Sequence, residues 1–319
     1  MDRRASQRLT PVAGRGLTPD KLQFQAAVPR LDGVASAEGL GAAVQRLAGE
    51  LAEAWDGAPA PAVRMLPSRV GADELPAPGH DREPGVPIGV AESDLAPVYV
   101  DLLGGDPHFV AFGDGESGKT TFLRTLIAGL AARVPPAGAR FVVVDYRRTL
   151  LDAVPEAHLL GYAGAAPGAV AEAARLREVL TGRLPPPDLT PAQLRDRSWW
   201  SGPEIVVVVD DYDLVVTPTG SPLAPLADFL AQGRDLGLHL VLARRAAGAS
   251  RALFEPVLQR VRDLGSPGLL LSGDRAEGPL LGPFRPTEQP PGRGVVVRRR
   301  AGAELVQVAT PGDEVGAPS

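Results

Sequence analysis

The 319-residue chain has no cysteine, only two lysines among its 33 cationic residues, and four histidines. Each shortage removes a class of function. Without cysteine there are no disulfides, no thiolate metal sites and no thiol nucleophile. His80, His108, His158 and His239 are scattered, a pattern that suits structural or solvated imidazoles and not a histidine metal site. No apolar run approaches the ~20 residues that cross a bilayer, and the opening MDRRASQRLTPVAGRG lacks the apolar core of a signal peptide. A soluble, cytosolic chain is therefore expected. A net charge of −5 disfavours a general nucleic-acid surface, because binding phosphate backbones needs clustered cations.

What is present is an ordinary globular composition, 44% hydrophobic and 22% charged, enough for one large domain and an appendage. The texture changes near residue 60. Before it come an irregular stretch with a strand-like LQFQAAV and then ASAEGLGAAVQRLAGELAEAW (35–55), which has helical periodicity. Prolines and glycines break residues 57–85 into a linker, in which VRML is expected to form one short strand. Beyond it VPIGVAE, VYVDL, HFVAFG, FVVVDY, IVVVVD, LHLVLA and GLLLSG alternate at several points with helical segments. Continuous valine runs imply strands covered on both faces, hence an α/β fold with a mainly parallel sheet and helices on both sides. The run GVVVRRRAGAELVQVA (294–309) reads as a closing antiparallel hairpin. LPPPDLTP (184–191) reads as a stiff surface insertion, and Trp199 and Trp200 as packing anchors.

The chemistry concentrates in GDGESGKTT, residues 113–121, between the strand HFVAFG and the helical run KTTFLRTLIAGLAARV. GxxxxGK[ST] in a strand–loop–helix setting is a phosphate loop. Gly113, Gly115 and Gly118 let backbone N–H groups of the loop, through Glu116, Ser117, Lys119, Thr120 and Thr121, face a nucleotide. The helix N-terminus favours its negative charge. Lys119 reaches the terminal phosphates. In a chain that otherwise uses arginine almost throughout, a compact ammonium here has a physical reason. Thr120 is assigned to Mg²⁺, and Asp210, ending IVVVVD, to a magnesium-bound water. Asp114 and Glu116 are expected to point outward. Asp211 follows where a working ATPase usually has glutamate.

Together with GRGLTPDKLQFQAA, APAPAVRMLP, DLAPVYVDL, WWSGPEIVVVVDDYDLV, GRDLGLHLVLARR, LLLSGDRAEGPLLG and PPGRGVVVRR, these stretches give the chain, over nearly its whole length, a resemblance. It is similar to the C-terminal ATPase module of the EccC family, the FtsK/SpoIIIE-type ATPases of type VII (ESX) secretion systems. The resemblance implies a RecA/FtsK-like P-loop NTPase fold that binds ATP and Mg²⁺. It implies residues 1–60 as the tail of a preceding ATPase module with a linker helix, and 61–315 as the FtsK/SpoIIIE-like domain. The full-length protein would then continue N-terminally into other ATPase modules and a membrane anchor, holding this fragment at the inner face of the cell membrane without direct membrane contact. It further implies partners in those modules and in the C-terminal signal of small helical ESX-type secreted substrates, and allows a hexameric ring.

Two departures from the family weaken hydrolysis. Asp211 is one methylene shorter than the glutamate that would polarise water, and Arg244 and Arg245 stand where FtsK-type motors carry a polar Thr-Gln pair. Arg234 matches the arginine finger that reaches a neighbouring subunit's phosphate, against an even reading as a surface arginine closing a helix. The expected function is an ATP-binding, hydrolytically weak, regulatory and substrate-recognising module. The rivals are an active DNA-translocating motor, disfavoured by charge, and a small-molecule kinase. A groove for a substrate helix would be sought in SPLAPLADFLAQ or RALFEPVLQRV.

Overall fold

The valine run of residues 204–209 is an interior strand of a ten-stranded sheet, third from one edge, and every residue from Ile205 to Val209 is buried. Both faces of that strand are covered, which is why it shows no polar alternation. The structure is a computed structural model describing residues 12–20, 22–58, 60, 63–81, 83–217, 220–299 and 302–312. It divides into two units, Met1–Val63 and Arg64–Ser319.

The first unit holds a two-stranded antiparallel pair, β1 (Arg15–Leu17) and β2 (Gln23–Gln25), and helix α1 (Leu40–Ala54). The helix expected from residue 35 starts five residues later. Gly39 at φ 67° turns the chain left-handed, and Ser36 Oγ accepts the Glu38 N–H, so the segment before Leu40 forms a turn. Residues 1–11, on which part of the expected tail falls, lie outside the described residues.

The second unit contains β3 (Val86–Ala91), β4 (Pro97–Val100), β5 (His108–Phe112), α2 (Lys119–Arg133), β6 (Ala139–Val144), β7 (Leu159–Ala163), α3 (Ala166–Gly182), α4 (Pro191–Asp196) and β8 (Glu204–Val209). There follow α5 (Tyr212–Val215), α6 (Gly233–Leu236), β9 (Leu238–Arg244), α7 (Ala249–Ala252), α8 (Pro256–Asp263), β10 (Gly268–Leu270), β11 (Arg293–Arg298) and β12 (Gly302–Val308). The strand order is β4-β3-β12-β11-β10-β5-β9-β8-β6-β7. From β10 to β7 the pairs are parallel; from β4 to β10 they are antiparallel. The closing hairpin β11–β12 therefore extends the sheet, although its turn residues Arg300 and Ala301 lie outside the described residues. VPIGVAE and VYVDL also fall in this antiparallel wing.

Two expectations fail. VRML is not a strand: Val63 and Met65 are 90% and 81% exposed, and the carbonyls of Leu66 and Pro67 accept the Arg293 guanidinium instead of a ladder partner. Strand β7, in LLGYA, was not anticipated. It is a short edge strand, and Gly161 within it weakens its pattern.

Alternate residues of the parallel strands feed two cores. On one face Phe109, Ala111, Val206, Val208, Val241 and Ala243 pack with Phe122, Leu123, Leu126, Ile127 and Leu130 of α2. On the other, Val110, Val207, Leu240 and Leu242 pack with Ala169, Ala173, Leu176 and Leu180 of α3 and Val257, Leu258 and Val261 of α8. Burying one such valine or leucine is worth roughly 1.5–3 kcal/mol, so these layers fix the strand ends that carry the site. His108 is part of this framework: Nε2 meets the Leu230 carbonyl at 2.8 Å, Nδ1 accepts the Leu240 N–H, and burial pulls its pKa down to about 4. Among the described residues no helix is long and apolar enough to cross a membrane.

Candidate functional site

The loop 113–118 joins β5 to α2 at the carboxyl ends of the parallel strands, where open α/β sheets present their ligand crevice. Two of its glycines are dictated by space. A Cβ on Gly113 would sit 2.3 Å from Ser117 Oγ and 2.8 Å from Leu271 Cβ. One on Gly118, at φ 104°, would meet the backbone of Gly292. Gly115 is under no such pressure. Ser117 is buried with Oγ donating to the Asp114 carbonyl, and Lys119, 7% exposed, donates its Nζ to the same carbonyl at 2.9 Å. Glu116 is exposed, as expected, at φ 58°. Asp114 is not: its Oδ1 accepts the Ala247 N–H, so the carboxylate ties the loop to the segment after β9.

Strand β8 brings Asp210 under the loop. Thr120 Oγ1 donates to Asp210 Oδ2 at 2.6 Å, and Thr149 Oγ1 to the same oxygen at 3.0 Å. Asp210 is 2% exposed. Burial raises its pKa and the charge of Asp211 adds to this, while the Thr120 hydrogen bond opposes both. Asp211 adopts φ 44° and turns its carboxylate between two cations, with Lys119 Nζ 4.0 Å from Oδ1 and Arg147 Nη1 3.2 Å from Oδ2.

Arg147 and Thr149 were missed by sequence reasoning. They sit on the loop after β6, which is the neighbour of β8 in space though its paired residues are 65 positions away in sequence. Asp145 organises that loop, accepting from the Arg147 and Leu150 N–H groups, Thr149 Oγ1 and the Tyr162 hydroxyl. An aspartate closing a valine strand next to arginine and threonine was the available signal.

Gly115–Thr121, Arg147 and Asp211 line one side of a cavity of about 600 Å³. Its other wall comes from Ser68, Arg69, the Pro290–Gly292 turn, Gln307, Val308 and Thr310. Arg293 bonds Gln307 and the Leu66 and Pro67 carbonyls, so the linker and the closing hairpin build this wall together. Neither was foreseen there.

Arg234 and Arg244 are not brought to this cavity. Arg244 ends β9 but turns into the opposite layer, bonding the Arg245 and Gly248 carbonyls, and burial lowers its pKa. Arg244 is absent from the residues lining the cavity, and no neutral polar pair stands at that strand end. Arg245 is exposed, with its N–H on Asp213. Arg234 is exposed in α6, before β9, at the other end of the sheet. The carbonyls of Arg234, Asp235 and Leu236 accept, in turn, from Arg197, Trp200 Nε1 and Arg183. Trp199 donates to the Arg183 carbonyl and Arg183 stacks 4.0 Å over Trp200, so both tryptophans act as packing anchors.

A second cavity, about 480 Å³, lies in the layer of α8. Phe112, Leu253, Leu258, Val261, Leu281 and Phe284 line it, with Arg262, Arg298 and Arg299 also at its wall. RALFEPVLQRV contributes Leu253, Leu258 and Val261 to it, and these belong to the same core as Leu226, Phe229 and Leu230 of SPLAPLADFLAQ. Phe254 nearby is 72% exposed.

Residues 74–181 match the FtsK/SpoIIIE family. The ESX secretion system protein EccC of Thermomonospora curvata is 47% identical over 296 residues, covering 93% of this chain and 22% of that protein. A solved structure of T. curvata EccC, ATPases 2 and 3 in complex with a signal sequence peptide, aligns with a TM-score of 0.82 at 46% identity, covering 97% of this chain and 55% of that one. A solved ATPase is 32% identical with a TM-score of 0.69, covering 77% of this chain and 96% of its own. The chain spans about a fifth to a half of the length of the curated relatives it matches.

Proposed function

The chain belongs to the FtsK/SpoIIIE family, and from that membership we propose that it is an ATP-binding module of a type VII secretion translocase, weak in hydrolysis, with a regulatory and substrate-recognising role in exporting small helical proteins. The nucleotide half rests on one observation, the bond from Thr120 Oγ1 to Asp210 Oδ2 directly beneath a glycine-shaped phosphate loop. A P-loop of this family implies a nucleotide and Mg²⁺, and the residues present fit them. The N–H groups of Gly115–Thr121 and the Lys119 ammonium would bind the β and γ phosphates. Thr120 and Asp210 supply the hard oxygens that Mg²⁺ prefers, Asp210 through a water. When bound, the ion would neutralise phosphate charge. The Ser68–Arg69 and Pro290–Gly292 wall is left for ribose and base.

Hydrolysis is expected to be slow because Asp211 is short and already engaged by Lys119 and Arg147. Such a module would use ATP chiefly as a ligand that holds one conformation. The substrate half draws on the T. curvata EccC relative that was solved with a signal sequence peptide. In this chain the α8 cavity is the apolar concavity apart from the phosphate loop that fits an amphipathic helix in the i, i+3, i+4 mode. The module would work beside further ATPase modules of a longer protein, on the cytoplasmic side, with Arg234 a candidate finger toward a neighbour.

Thermal melts with and without ATP and Mg²⁺ test the nucleotide reading. Saturating ligand, at about 100 times Kd, adds roughly 2.7 kcal/mol. Lys119→Ala should abolish that gain, and an unchanged gain in this variant rejects the site. Titrating a labelled C-terminal helix peptide from the cognate secreted protein, and separately a DNA duplex, at two salt concentrations tests the second half. Peptide binding that persists in salt and fails when the peptide's apolar anchors become alanine supports secretion; tight, salt-sensitive duplex binding without peptide binding favours a DNA motor.

A further inference from the structure

Arg147 stands on a braced support and reaches into the phosphate cavity, yet its partner there is another protein side chain. Its backbone N–H is fixed by Asp145 Oδ1 at 3.1 Å, and the same aspartate holds Thr149 and Leu150. Arg124 pins the loop from the α2 side by bonding the Thr149 carbonyl and Asp152. The side chain is 65% exposed, and among the described residues its guanidinium bonds Asp211, Nη1 to Oδ2 at 3.2 Å. On the other oxygen of that carboxylate stands Lys119, the cation that a phosphate loop aims at the terminal phosphates. Arg147 and Lys119 thus flank one carboxylate in the place where terminal phosphate oxygens would be bound.

Resting on the nucleotide reading above, we propose that Arg147 is the residue that distinguishes nucleoside triphosphate from diphosphate, exchanging Asp211 for the terminal phosphate. A guanidinium bonded at one point to a carboxylate keeps several donors open, and a phosphate offers more charge and a bidentate geometry. Lys119 is shared between the β and γ phosphates, so it keeps part of its contact with a diphosphate and discriminates less than a cation placed on the last phosphate alone. Arg147 comes from the loop after β6 and shares the Asp211 carboxylate with Lys119, so it would face the last phosphate. Asp211, in the same exchange, loses the cation that neutralised it. Its charge then opposes the terminal phosphate, and the balance between Arg147 and Asp211 sets the preference for triphosphate. The side chain is largely exposed and its backbone is held through other residues, so removing it leaves the fold in place.

The test measures Kd for ATP and for ADP, both with Mg²⁺, in the 319-residue chain and its Arg147→Ala, Arg147→Lys and Asp211→Asn variants. Arg147→Ala should weaken ATP roughly 10- to 100-fold, the range of a lost charge-assisted hydrogen bond, and leave ADP within about twofold. Arg147→Lys should fall between, because it keeps the charge without the fork. Asp211→Asn should tighten ATP relative to ADP. Equal effects of Arg147→Ala on both nucleotides, or none on either, overturn the proposal while leaving the nucleotide site intact. Wild-type chain that binds neither nucleotide overturns both. A nucleotide-free thermal midpoint for Arg147→Ala close to wild type excludes misfolding as the cause, and unequal losses with that midpoint preserved support the exchange.

Discussion

Asp210 shows what a metal position requires of a single residue. Its carboxyl is buried beside a second carboxylate, which holds its pKa above the ordinary range, and hydrogen bonds from Thr120 and Thr149 only partly offset this. A carboxyl raised in the folded state contributes stability that is full below its unfolded pKa and is lost as pH rises through the folded value. Asn cannot ionise, and its amide can accept from the Asp211 N–H while its NH₂ faces the two hydroxyls as acceptors. Asp210→Asn should therefore melt higher than wild type at pH 7 without nucleotide or metal, with the gap closing as pH falls into the carboxylate range. Melts from pH 4 to 8 check this, and an Asn variant that melts lower at pH 7 contradicts it. The variant should also lose Mg²⁺-dependent stabilisation by ATP. Asp210 and Lys119 were legible because a phosphate loop and a valine strand ending in aspartate are local patterns. Arg147 was not, because it joins the site only through the β6–β8 pairing.

The short α6 turn illustrates the element scale. Four residues cannot satisfy their own terminal carbonyls, and here Arg197, Trp200 and Arg183 from the segment before β8 do so, fixing the exposed Arg234. Glu204 completes the clamp, bonding Arg197 and His239. Burial would raise its pKa, but the hydrogen bond to His239 and the pairing with Arg197 outweigh that and hold it low. A depressed carboxyl contributes stability above its unfolded pKa and loses it as pH falls through the folded value. Glu204→Gln should be destabilised at pH 7 by about 1–3 kcal/mol, the scale of a lost hydrogen bond to a charged group, and should approach wild type below pH 4. Urea titrations at the two pH values measure it; a pH-independent difference would point to packing alone. The insertion LPPPDLTP and the tryptophans were recognisable as surface structure and anchors, but their acceptors, 16 and 35 residues away in sequence, were not.

At the scale of the whole molecule, every wall of the phosphate cavity comes from Ser68 onward. A chain beginning at Arg64, the start of the second unit, should fold and keep its ATP-dependent rise in thermal midpoint within about 1–2 °C, a shift corresponding to roughly 0.3–1 kcal/mol for a domain of this size. Loss of the rise would mean that the first unit contributes to binding. Removing instead the stretch up to Val70 should abolish it, since Arg69 and the Arg293 contacts to Leu66 and Pro67 go with it.

The amino-acid sequence by itself determined the chemistry of the loop and the layered α/β core, because glycine spacing, a lone lysine beside threonine and unbroken valine runs act within one strand–loop–helix unit. Tertiary structure alone decided which side chains share the cavity. Only sheet order puts Arg147 against Asp211, only the β12–β3 and β11–β12 pairings bring the linker and hairpin to the nucleotide wall, and only the strand-end geometry turns Arg244 away. Long-range pairing is a property of the whole sheet, in which each register depends on all the buried faces together, so no local pattern records it.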